Sequence, residues 1–103
     1  MPDPCAVEAK LAQIEAEMRR TGLWDMPAPD AGALAFRQAF ASDTMIFEQW
    51  LRWVFVVRVR ERLADGALPP SSFVGAQAAR ELDGRREHGR LVELLADFDA
   101  LFR

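Results

Sequence analysis

The chain has no tyrosine, one cysteine, one histidine and one lysine, and each scarcity excludes something. With Cys5 alone, no intramolecular disulfide can form, and a free thiol suits a reducing compartment. With His88 alone, a metal centre would need carboxylates or Cys5 to complete it. No H-E-x-x-H or C-x-x-C spacing is present, so no metal is expected. The longest apolar stretch is interrupted by Glu48, Arg52, Arg58, Arg60, Glu61 and Arg62, which leaves no window of the ~20 apolar residues that a membrane span requires. The N-terminus, MPDPCAVEAK, lacks the basic and apolar regions of a secretory signal, so a cytoplasmic protein is expected. Phosphate-binding glycine loops and a G-x-S-x-G elbow are also missing. Ser42, Asp43 and His88 could be imagined as a hydrolytic triad, but the first two are better explained as helix caps. No catalytic residue and no cofactor are expected, and the chain reads as non-enzymatic.

What is present is helix. In a chain of 103 residues, half of them hydrophobic and 28% charged, one domain spanning 1–103 with a single core is expected. Its organising stretch is residues 43–64, which holds two of the three tryptophans and neither glycine nor proline. At 100° per residue, Ile46, Phe47, Trp50, Leu51, Trp53, Val54 and Val57 fall on one stripe, with Phe55, Val56, Val59 and Leu63 behind it. Such a helix must be covered from two directions. Ser42 or Asp43 is the expected cap.

The remaining segments read as its cover. Asp3-Pro4 opens a first helix with Val7, Leu11, Ile14 and Met18 on one stripe, Glu8, Glu15 and Glu17 pointing elsewhere, and Gly22 as the stop. Residues 23–33 form a linker in which Trp24 acts as a lid, ligand stacking being the alternative. Phe36 and Phe40 suit a short helical turn. Asp65-Gly66 ends the central helix, Pro69 and Pro70 stiffen the next connection, and Ser71 or Ser72 caps a third helix carrying Phe73, Val74 and Leu82. The last helix sets Leu91, Leu94, Leu95, Phe98, Leu101 and Phe102 on one face, with Asp97 and Asp99 solvated. The fold expected is all-α, a compact four-helix bundle-like domain around a long central helix. Its core is read as Phe47, Trp50, Leu51, Trp53, Val54, Leu94 and Phe98.

The run D-T-M-x-F-x-Q-W-L-x-W-V-F from Asp43, then V-V-R-V, Leu68-Pro69-Pro70 and a closing L-x-x-F-D-x-L-F, resembles the YqcC-like family of small bacterial proteins. Leu11, Ile14, Trp24 and Phe40 extend the likeness over most of the chain. The resemblance implies a compact four-helix protein of no known activity. In some relatives the gene lies beside that of tRNA pseudouridine synthase C, which implies an accessory role near tRNA modification. The family usually has proline where Val57 stands, so a straighter central helix is expected here.

Two classes of function follow. The first is an interaction module whose exposed apolar surface binds a protein partner or a second copy, with Trp24, Phe55 and Arg58 as candidate contacts. Arg58 stands at the margin of the apolar stripe, and its planar fork suits a carboxylate or phosphate. The second is an RNA-binding accessory in which Arg58, Arg60 and Arg62 meet the run Arg80, Arg85, Arg86 and Arg90, with Arg85 and Arg86 as candidate RNA contacts. The net charge of −3 argues against non-specific polyanion binding as the main task. A small-ligand pocket beside Trp24 and Arg58 is a third alternative.

Overall fold

The computed structural model describes residues 2–29 and 45–102, and these form four helices with no strand among them. The expected caps Ser42 and Asp43 and the turn carrying Phe36 and Phe40 lie outside the described residues.

Helix α1, Pro4–Thr21, starts where Asp3 Oδ1 accepts the N–H of Cys5 at 3.0 Å and stops at Gly22, whose φ of 87° only glycine adopts without strain. Val7, Leu11, Ile14 and Met18 are all buried. Glu17, expected to point away, is buried too, held by the Arg20 guanidinium at 2.9 Å. That hydrogen bond lowers the Glu17 pKa from its ordinary value against the opposing effect of burial, helped by the charges of Arg20, Arg90 and His88.

Helix α2, residues 47–65, is continuous through three stretches: Phe47–Trp50, a wide π-helical turn over Leu51–Phe55, and Val56–Asp65. In the wide turn the Val56 N–H reaches back to the Leu51 carbonyl, five residues away. The turn absorbs one residue and carries the buried stripe one position further along, onto Phe55, Val59 and Leu63. Val57, placed on the stripe by a uniform 100° step, is exposed, while Val56 is fully buried and Val59 and Leu63 pack partly against the core. Ile46 is also exposed. With valine at position 57 the chain keeps its helical course, but a wide turn interrupts the regular ladder just before it. Gly66, at φ 71°, ends α2 with its N–H on the Arg62 carbonyl.

Helices α3, Val74–Glu81, and α4, Gly89–Ala100, pack tightly on each other, and α1 packs on both α4 and α2. Gly75 makes the first of these contacts possible, since a Cβ there would meet Ala96 Cα at 2.6 Å. Neither Ser71 nor Ser72 caps α3 in the way expected; the helix has no local side-chain cap. Its cap is Asp99, which accepts the N–H groups of Val74 at 3.0 Å and Gly75 at 2.7 Å and the Ser72 hydroxyl at 2.6 Å. Asp99 is accordingly buried rather than solvated, whereas Asp97 is exposed and pairs with Lys10 at 3.7 Å.

Candidate functional site

Two features stand out on this frame. The first is a groove of about 490 Å³, a size that accommodates a small molecule or a few side chains. Trp50, Phe55, Phe98 and Phe102 form its floor, joined by the T-shaped contact of Phe55 with Phe98 at 5.1 Å and the tilted contact of Trp50 with Phe55 at 5.7 Å. Leu68, Pro69 and Phe73 form one wall, and Arg58 and Arg62 belong to the rim. Arg62 pairs with Asp65 at 3.3 Å, and Arg58 has interactions within the chain.

The wall is built by the Leu-Pro-Pro-Ser-Ser connection, which runs stiffly from Gly66 to the start of α3. Phe73 ends it at the N-cap position of α3, where a non-helical backbone carries the ring outward, 69% exposed. Sequence reasoning counted Phe73 among the apolar residues of α3. The signal that separates it is its place directly after Ser72, before the helical period begins.

The second feature gathers around Trp24. The Arg52 guanidinium lies 3.9 Å from the Trp24 ring centroid and 4.4 Å from that of Trp53, so it packs over both indoles. Arg19 approaches Trp24 at 4.7 Å and Arg60 at 5.7 Å. Three hydrogen bonds fasten the connection after α1 to one face of α2: Arg52 Nε donates to the Trp24 carbonyl at 2.8 Å, Trp53 Nε1 to that of Met26 at 2.8 Å, and Gln49 Nε2 to that of Pro27 at 3.2 Å. Residues 49, 52 and 53 share that face by helical spacing.

The candidate contacts thus separate. Phe55 and Arg58 line the groove, Phe55 as a buried floor residue 6% exposed and Arg58 as an exposed one. Trp24 lies elsewhere, half-buried in the arginine cluster, so it shares no described pocket with Arg58. Phe47, Trp50, Leu51, Val54, Leu94 and Phe98 are buried, but Trp53 is half-buried against the connection. Arg85 is tied to Glu48 at 3.5 Å, to Glu87 at 3.4 Å and to His88 Nε2 at 2.9 Å, while Arg86 is exposed on the turn before α4. Arg60 pairs with Glu15 on α1 and Arg90 with Glu93. Among the described residues no cluster of histidine, cysteine, aspartate and glutamate could hold a metal, and no helix is long and apolar enough to cross a membrane.

What these residues define is a small all-helical domain with an apolar, arginine-rimmed groove on one flank. The chain belongs to the protein family described as tRNA pseudouridine synthase C, whose profile matches residues 6–101. An uncharacterised protein of Haemophilus influenzae is 32% identical over 91 residues, covering 88% of this chain and 84% of that protein. A protein of Pectobacterium carotovorum subsp. carotovorum named tRNA pseudouridine synthase C is 33% identical over 85 residues, covering 82% of this chain but only 23% of that protein. This chain therefore corresponds to under a quarter of the length of that relative. No solved structure matches.

Proposed function

We propose that this chain is a non-enzymatic accessory domain that docks on tRNA pseudouridine synthase C through the groove floored by Phe55 and bordered by Arg58 and Phe73. The Pectobacterium relative carries the reading: a segment similar to this chain makes up 23% of a protein with that name. A covalent connection supplies a high effective concentration, and wherever such a segment is not joined to the synthase it needs an interface of its own. The groove has suitable chemistry, an aromatic floor with an exposed Phe73 beside it and guanidinium groups at its rim. It fits an apolar side chain of the partner flanked by a carboxylate.

Isothermal titration of the purified chain against the synthase of the same bacterium tests the reading. A one-to-one complex is expected, with Phe73→Ser and Arg58→Ala each weakening it about tenfold, the scale of an interface hot spot. Absence of a complex, or equal binding by both folded variants, overturns it. If the chain instead pairs with itself through the same groove, its mass in solution doubles and Phe73→Ser halves it again.

A further inference from the structure

The geometry points to a second surface: we propose that the cluster of Arg19, Arg52 and Arg60 around Trp24, rather than the Arg85–Arg86 run, contacts RNA. Three separate segments contribute to it, the end of α1, the connection after it and two positions on α2. Glu15 is the one carboxylate paired with any of these three guanidiniums among the described residues; it takes both Arg19, at 3.4 Å, and Arg60. Three guanidiniums thus share one paired carboxylate, with Glu8 also lining the cleft beside Glu15 and Arg60, on a chain whose net charge is −3. The Arg19 and Arg60 side chains are 58% and 54% exposed, so they can reach phosphates without disturbing the core.

Interleaved aromatic and guanidinium planes are what unpaired nucleotides use. Bases stack on indole or guanidinium faces, and the forks of the same arginines hold phosphate oxygens. Arg52, packed over both indoles and bonded to the Trp24 carbonyl, is the rigid part of the surface, while Arg19 and Arg60 are the reaching part. Arg85 offers less, because Glu48, Glu87 and His88 already engage it. The choice of RNA over another polyanion rests on the partnership with the synthase proposed above; the location of the surface does not.

Fluorescence anisotropy of the isolated chain with a labelled single-stranded RNA of mixed sequence tests this, with no synthase present. Binding that weakens with salt is expected. The double variant Arg19→Gln, Arg60→Gln should bind about tenfold more weakly and lower the log–log salt slope by about 1.4, two phosphate contacts on a single strand. Glu15→Gln removes the cluster's negative charge and should tighten binding about twofold, which keeps the test decisive if the double variant folds poorly. Arg85→Gln with Arg86→Gln should stay within about twofold of the parent chain. No binding at low salt, loss confined to the Arg85–Arg86 variant, or no change in Glu15→Gln overturns the proposal. Failure here alongside a normal complex with the synthase leaves the docking groove untouched, and the reverse result does the opposite.

Discussion

Asp99 Oδ2 accepts the backbone N–H of Gly75 at 2.7 Å, so the N-terminus of α3 is capped by a residue of α4 twenty-four positions further along the chain. The same carboxylate takes the Val74 N–H and the Ser72 hydroxyl, and it meets the positive end of the α3 dipole. The start of α3 therefore takes its side-chain cap only from α4 docked against it.

Asp99→Asn keeps the size but turns an amide toward two backbone donors. It should destabilise the fold by about 1–3 kcal/mol, read as a lower urea midpoint with an unchanged slope. Ser72→Ala, which removes one partner and leaves the backbone pair intact, should cost at most about 1 kcal/mol.

Gly75→Ala places a methyl 2.6 Å from Ala96 Cα and 2.7 Å from Ala96 N. Both are backbone atoms, so α3 and α4 must part. Overpacking of this kind costs about 1–3 kcal/mol, and Ala96→Gly should not rescue it, because the collision is not with the Ala96 methyl. Thermal melts of the single and double variants check this.

Trp53→Phe removes the N–H that reaches the Met26 carbonyl while keeping most of the ring. A loss of about 1 kcal/mol is expected, concentrated in the connection. Hydrogen exchange should accelerate at residues 24–26 and stay unchanged in α4.

The Glu17–Arg20 pair gives the fold an acid-side sensitivity. The folded-state pKa of Glu17 lies below the ordinary value of 4.5, so the pair's contribution is present above that value and is lost as pH falls through the folded one. Chemical denaturation of the parent chain and Glu17→Gln between pH 3 and 7 should converge toward the acid end. A gap that widens on acidification contradicts this assignment.

Much of the fold was legible because it rests on local rules. The α1 stripe of Val7, Leu11, Ile14 and Met18, the Asp3 cap and the Gly22 stop all follow from residues within a few positions of one another. The all-helical class did so for the same reason. Asp99 was misread as solvated because its partners lie on another helix, and no local spacing announces them. Glu17 likewise depends on a neighbour that fixes it while the helix turns it inward. The groove needed the path of the 66–73 connection, which composition marks as stiff without saying where it leads. One signal in α2 was present and went unused. Phe47, Leu51, Phe55, Val59 and Leu63 recur every four residues, a repeat that drifts 40° per step on a regular helix and stays on one face only if a wider turn intervenes.

That wide turn gives α2 a spare residue. Shortening Leu51–Phe55 by one position would convert it to ordinary helix and leave Phe47 and Leu63 facing the same way, whereas shortening the regular stretch Val56–Asp65 would swing everything beyond the cut by about 100°. The helix thus carries its insertion at the stretch that presents Arg52 and Trp53 to the connection and Phe55 to the groove. Length variation there is inexpensive for the core and consequential for both surfaces. A lineage could gain or lose the two surfaces together without rebuilding the bundle that supports them.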